Sequence, residues 1–227
     1  MSRSIWFAPS QLAYLWMECK RCYWLHHKGL KRPRTEFAPI FNRLDQALKK
    51  EFAKGMRLDW LGIPGQVHST GGKVCSVDLG RSGIEARVFG EYDLLVTMEG
   101  GGFGVYDFKV TRPNTEKIAK YTPQLSAYAF ALENPDRHKP MSVTAAGLIY
   151  VDFNLATLVE TPPTLTDMYT LSHEPVPLDV PGLRSVLAEM LDVIDRDRPP
   201  ASGPDCPYCA HANRLAALAA DLRGAHQ

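Results

Sequence analysis

The chain has no surplus of charge. Lys and Arg number 26 against 25 Asp and Glu, a formal net charge of +1. That balance gives the molecule as a whole no pull toward a polyanion. Long hydrophobic runs are missing too. Nothing approaches about 18 consecutive apolar residues, so no bilayer-spanning segment is expected. The opening stretch MSRSIWFAPSQLAYLW has neither an unbroken apolar core nor a small-residue cleavage site. It therefore reads as no secretory signal, and the expected location is the cytoplasm. Cysteine is scarce, at five. In the reducing compartment so expected, paired cysteines more often bind metal or do redox chemistry than form structural disulfides. With 45% hydrophobic and 22% charged residues, the composition excludes collagen, long disorder and a pure coiled coil.

What is present is less even than the totals. Residues 1–35 carry Arg3, Lys20, Arg21, Lys28, Lys31, Arg32 and Arg34 against the single acid Glu18, a local charge of +6. The rest of the chain is therefore −5. A basic arm on an acidic body suits a protein that meets a polyanion with one edge. A solvated helix end followed by a loop would give the same count.

The periodicity predicts a helix over 10–28, with Ser10 as N-cap, Gly29 at its end, and Leu12, Leu15, Trp16, Cys19 and Tyr23 on one stripe. A second helix is predicted over 40–55, with Ile40, Leu44, Leu48 and Phe52 inward. From about residue 73 the period becomes that of strands: KVCSVDL, ARVFGEYDLLVTM and FGVYDFKVT. Thr122-Pro123 look like the N-cap and first residue of a helix reaching Leu132. VTAAGLIYVDF and ATLVE read as strands, Glu160 to Pro181 as a connecting excursion, and Pro181 to Arg196 as a helix. A final helix follows CPYC. Length and element order predict a single α/β (α+β) domain over 1–227. Its parts are a helical N-terminal region to about 60, a sheet and helix over about 70–160, and C-terminal helices over about 180–227.

The hairpin GEYDLLVTMEGGGFGVYDFKVT carries the chemistry. Its turn falls at Glu99–Gly102, where glycines allow positive φ. A turn centred near Gly100 makes opposed residues sum to 200, so Asp93 faces Asp107 and Glu91 faces Lys109. The strand period of two puts those four on one face and Tyr92, Leu94, Tyr106 and Phe108 on the other. Carboxylates opposed at roughly 5 Å repel. A hard divalent cation such as Mg²⁺ between them removes that penalty. The plain alternative is a set of exposed charges with Lys109 neutralising one acid. The following helix adds Gln124 and Tyr128, four apart on one face, while Leu125 and Leu132 can pack inward.

Together these segments resemble the PD-(D/E)XK nuclease superfamily, specifically its RecB-like branch. GEYD resembles the G-x-x-D motif, DFK the D/E-x-K motif, QLSAY the Q-x-x-x-Y motif, and SQLAYLWMECKRCYWL the opening helix. Cys206-Pro207-Tyr208-Cys209 resembles the cysteine motif of the iron–sulfur members, among them small CRISPR-associated and AddB-type nucleases. The resemblance implies a restriction-endonuclease-like core, a mixed central sheet flanked by helices. It implies that Asp93, Asp107 and the Phe108 carbonyl hold Mg²⁺ or Mn²⁺. It also implies that Lys109 orients water, and that Gln124 and Tyr128 position the lysine or touch the nucleic acid. The implied activity is hydrolysis of DNA, single-stranded or with a free end, by an exonuclease or structure-selective endonuclease of repair, recombination or CRISPR-type processing. Many relatives work beside a helicase or integrase. The sequence departs from the pattern on the preceding helix, IFNRLDQALKKEF, where a family ligand, usually His or Glu, falls at Asp45. Glu36 and Glu51 are alternatives, and His68 a weaker one. If nothing fills the role, a weak or inactive module that binds DNA or a partner protein is the other outcome.

Cys19 and Cys22 are three apart on a predicted helix, and Cys206 and Cys209 form a second C-x-x-C pair. Two such pairs suit Zn²⁺ or a [4Fe–4S] cluster. The resemblance favours the cluster, although its usual layout is one N-terminal and three C-terminal cysteines. Either occupant would staple the first helix to the last. Cys75, alone in a strand, is expected in the core.

Overall fold

A strand that is buried on both faces needs near-continuous apolar side chains, and the two central strands have them. In the computed structural model, which describes residues 3–33, 39–81, 83–153 and 169–224, these are β4 (Phe103–Lys109) and β5 (Val143–Phe153). They pair in parallel, with Asp107 against Leu148 and Lys109 against Tyr150. Around them run β1 (Arg3–Phe7), β2 (Gly65–Cys75), β3 (Ile84–Met98) and β6 (Tyr169–Pro175). The sheet order is β1-β3-β4-β5-β6, with β2 also on β3. The sheet is mixed: β1–β3 and β4–β5 are parallel, the other pairs antiparallel.

The hairpin forms in the expected register, from Thr97↔Phe103 to Leu94↔Tyr106. Gly101 and Gly102 take φ of 90° and 73° in its turn, a region closed to most other residues. β3 is long enough to hold two strands on one edge. β2 and the residues after it occupy the other, continuing to a bond from the Leu79 N–H to the Ala86 carbonyl. That leaves β1 (against 84–88) and β4 (against 94–97) to share the free edge. Their C-terminal ends converge on the segment Phe89–Asp93, where no strand among the described residues is paired on that side.

Helices cover both faces. α1 (Pro9–Gln11) widens into a π turn, Leu12–Trp16, and α2 (Lys20–His27) follows. The helix expected over 10–28 is thus broken at Met17–Cys19, and its cap position is Ala8, not Ser10. Its stripe is nonetheless buried at Leu12, Leu15, Trp16, Cys19 and Tyr23. α3 (Pro39–Phe52) buries Leu48 and Phe52 and leaves Ile40 exposed. α4 (Ile118–Glu133) starts four residues before the expected cap, so Pro123 lies inside it. α4 is buried along nearly its whole length, Leu125 and Leu132 included. α5 (Val180–Asp195) is capped by the Asp179 carboxylate, which accepts from the Gly182 N–H at 2.8 Å. α6 (Pro207–Gly224) closes the order.

The two core layers are distinct. Leu95, Val105, Leu125, Phe130 and Leu148 lie in one; Leu94, Val96, Tyr106, Phe108, Phe52 and Ile149 in the other. Tyr92 is buried, but joins the first layer instead of the Leu94 layer. The N-terminal region is not wholly helical, because β1 pairs with β3 there. β2 begins eight residues before KVCSVDL, and β6 lies inside the expected excursion. ATLVE falls outside the described residues. Cys75 is half-buried at the end of β2, not in the core.

Candidate metal and nuclease site

The site is built where β3 and β4 part. Past Leu94↔Tyr106 the ladder stops, and the Asp93 side chain takes over. Its Oδ2 accepts from the Phe108 N–H at 2.9 Å. A residue in an extended strand sends its N–H and C=O to the same edge. The Phe108 carbonyl therefore also faces the side on which Asp93 stands. Asp107 and Lys109 alternate with Phe108 and turn toward α4. Gln124 donates from Nε2 to Asp107 Oδ1 at 2.8 Å, and the Lys109 ammonium lies 2.5 Å from Asp107 Oδ2. That contact pairs two buried charges directly. Gln124 Oε1, by contrast, is a buried acceptor with no hydrogen-bond partner among the described residues.

The electrostatics follow from this crowding. Burial and the neighbouring Asp107 charge push the Asp93 carboxyl up to about 6, against the lowering effect of Lys49. Burial works to lower the Lys109 pKa, but Asp107 outweighs it and the ammonium is held above the usual lysine range. Lys109 also sits over the Tyr121 ring at 4.6 Å and the Tyr14 ring at 5.1 Å. Desolvation pushes the Tyr128 phenol well up, so it stays protonated and donates to the Glu91 carbonyl at 2.8 Å. Gln124 thus fixes Asp107, the ion-pair partner of Lys109, and Tyr128 ties α4 to β3. The Asp93 carboxyl beside the Asp107 charge, with the Phe108 carbonyl on the same side, fits a divalent cation.

The glycine of GEYD has a steric reason. A Cβ on Gly90 would lie 2.7 Å from Pro9 Cδ and 3.3 Å from Tyr128 Cε1. Gly90→Ala should therefore push α1 and α4 off β3. We expect it to cost about 1–3 kcal/mol, read as a lower melting temperature. An unchanged melting temperature would show that these contacts are slack.

The other expected ligands sort clearly. Asp45 reaches the cluster through Lys49, whose ammonium lies 3.0 Å from Asp45 Oδ2 and 2.8 Å from Asp93 Oδ1. Glu51 pairs with Lys54 on the surface, and His68 packs edge-on against Phe103 near the hairpin turn. Glu36 lies outside the described residues. Sequence reasoning missed Lys49 and Tyr121. Neither sits in a motif; their role depends on contacts across 44 and 12 residues of chain. The basic N-terminal region is also less open than its count suggests. Arg3 pairs with Asp195, Lys20 with Glu189, and Arg32 with Glu18.

The four cysteines meet as expected. Cys19, Cys22, Cys206 and Cys209 are buried, with all sulfurs within 4.8 Å of one another. Cys19 is the N-cap of α2, and its sulfur accepts from the Cys22 N–H at 3.4 Å and the Gly203 N–H at 3.2 Å. Burial raises the Cys19 thiol, but those backbone donors outweigh it and bring it down to about 7. Gly203 permits the close approach, since a Cβ there would lie 2.3 Å from the Glu18 carbonyl oxygen. Arg32 donates to Cys206 Sγ at 3.7 Å and stacks on Tyr208 at 4.7 Å. A buried cluster of four cysteine sulfurs with a guanidinium beside it fits a bound cation of the zinc or iron type.

A mixed sheet flanked by helices, with two aspartates and a lysine where two strands part, is a restriction-endonuclease-like α/β architecture. A model of the PD-(D/E)XK nuclease superfamily matches residues 24–214, and the chain belongs to that superfamily. Among solved structures it is similar to SSO0001, with a TM-score of 0.51 and 12% identity over 86% of this chain and 78% of that one. It is also similar to LHK-Exo in complex with dAMP, with a TM-score of 0.42 and 11% identity over 83% of this chain and 89% of that one. The alkaline exonuclease LHK-Exo from Laribacter hongkongensis gives a TM-score of 0.38 and 13% identity over 95% and 93%. No curated protein matches. Among the described residues, no helix is long and apolar enough to cross a membrane.

Proposed function

We propose that this chain is a Mg²⁺- or Mn²⁺-dependent deoxyribonuclease of RecB-like type, acting as one domain on DNA that is single-stranded or has a free end. The carrying observation is the constellation of half-buried Asp93 with buried Asp107, Lys109 and Gln124 at the parting of β3 and β4. Asp93, Asp107 and the Phe108 carbonyl would hold the ion, which supplies an activated water and charge neutralisation at the phosphate. Lys109 keeps its proton, so it serves as a hydrogen-bond donor that aims the water and meets negative charge developing on the phosphate. Gln124 holds Asp107 in place, and Tyr128 holds the helix that carries Gln124. The competing reading, a module that binds DNA or a protein without cutting, draws on the helix position near Asp93 being held by the Asp45–Lys49 pair.

Hydrolysis of single- and double-stranded DNA with Mg²⁺ and with Mn²⁺ separates the two. Wild type is expected to exceed Asp107→Ala by roughly a thousandfold or more, the scale of removing a central catalytic group. Wild type no faster than the variant in both metals would sink the enzymatic reading.

For the cysteine site we propose zinc. Four Zn–S bonds of about 2.3 Å in a tetrahedron put the sulfurs about 3.8 Å apart. The contacts Cys22–Cys206, Cys22–Cys209 and Cys19–Cys209 are 3.5, 3.7 and 3.7 Å. A four-iron cluster binds each thiolate to a different iron and needs a wider spread.

A further inference from the structure

Lys49 occupies an unusual place for a lysine in a helix. It stands one turn beyond Asp45 on α3, and an Asp–Lys pair at that spacing is ordinary. Its other contacts are not. The ammonium is 2.8 Å from Asp93 Oδ1 and 3.7 Å from Glu91 Oε1, both on β3. The side chain is only 20% exposed. Three carboxylates from a helix and a strand therefore converge on one fixed cation.

The partners of Asp93 divide the site. Its Oδ2 faces β4 and takes the Phe108 N–H, beside Asp107 and the Phe108 carbonyl. Its Oδ1 faces α3 and takes Lys49. Asp107 turns the other way, to Gln124 and Lys109. Two-ion phosphodiester sites set their ions about 3.5–4 Å apart. Here the α3 side of Asp93 already holds a positive charge that is covalently part of the chain. A lysine is a compact, strongly hydrated point charge, well matched to several carboxylates at once.

We propose that Lys49 takes the place of a second divalent ion, so that the site binds a single ion on the β4 side of Asp93 and Lys49 balances Asp45, Glu91 and Asp93 on the other. The proposal rests on the reading of Asp93 and Asp107 as metal ligands. Lys49 acts through Asp93, so it is a positioning residue. Its removal frees three carboxylate oxygens, enough to attract a cation of the hard-ligand class.

The test counts Mn²⁺ ions on the full chain with its cysteine site loaded, by titration calorimetry and the resonance signal of free Mn²⁺. Wild type and Lys49→Arg are expected to take a single ion. Lys49→Met is expected to take a second, at least about tenfold weaker, and to lose it again when combined with Asp45→Asn. A wild type that binds two ions overturns the proposal. So does a folded Lys49→Met that binds a single ion with affinity within about twofold of wild type. If Lys49→Met does not fold, as judged by circular dichroism, the wild-type count alone decides. A wild type that binds no Mn²⁺ overturns the metal reading of Asp93 and Asp107 itself, a result distinct from either of the others.

Discussion

Lys109→Met is expected to lower DNA hydrolysis by about two to three orders of magnitude while keeping, and tightening, divalent-metal binding. The lysine's charge is held by Asp107 at 2.5 Å and faced by the rings of Tyr14 and Tyr121. Methionine keeps most of the stem volume and removes the ammonium. The rate loss then reads the donor and its charge, not a cavity. Stability should move as well. Both side chains of the pair are about nine-tenths buried, at 10% and 8% exposure. Stripping one partner from such a pair costs about 3–5 kcal/mol, because the other charge is left buried and unpaired. A divalent ion supplies the missing positive charge and binds the folded state alone. Adding Mg²⁺ should therefore raise the melting temperature of Lys109→Met more than that of wild type. Initial rates, metal titration and melts with and without Mg²⁺ check the three parts. Activity within about threefold of wild type would remove Lys109 from the chemistry.

Cys209→Ser is expected to abolish stoichiometric zinc and to lower stability by on the order of 5 kcal/mol. The scale comes from loop closure: the site joins Cys22 to Cys206 across 184 positions of chain, and cross-links closing long loops contribute about that much in the chain-entropy model. For a protein of this size it corresponds to roughly 10–20 °C in melting temperature. The effect should concentrate at the ends. From Ala210 to Arg223, α6 is exposed on every side, and among its described residues Cys209 alone is buried. Exchange of backbone amides in α6 should therefore quicken before exchange in β4 and β5. Elemental analysis, a colourless absorption spectrum and hydrogen exchange check the prediction. Iron in place of zinc would reject the tetrahedral reading. Wild-type stability in a metal-free Cys209→Ser would reject the staple.

Much of the hairpin was legible because its constraints are local. The index sum of 200, the glycine turn and the alternation of Asp107, Phe108 and Lys109 need only strand geometry. VTAAGLIYVDF was legible to the residue as β5, because a strand buried between two neighbours carries an unbroken apolar run. The edge elements were not. Among the described residues, GQVHSTGG in β2 and YTLSHEP in β6 each pair with a single strand, and a strand with one neighbour can carry Gly, His, Ser and Pro. Pro123 misplaced the start of α4, because a proline at the first helical position and one within the helix read alike when buried contacts are unknown. The break at Met17–Cys19 was hidden for a similar reason: Cys19 keeps the helical spacing while its sulfur caps the next helix.

The sequence by itself determined the residue types and spacings that chemistry requires: two aspartates opposed across a turn, a lysine two positions after the second, and cysteines in two close pairs. Those follow from periods of two and 3.6 residues, which any short segment carries alone. Only the tertiary structure decided what stands on either side of Asp93. It placed Lys49 from α3 at Oδ1, the Phe108 amide at Oδ2, and Gln124 from α4 on Asp107. It also brought four sulfurs from opposite ends of the chain within 4.8 Å of one another. Side-chain contacts between distant elements depend on how helices pack on a twisted sheet, and no local period encodes that distance.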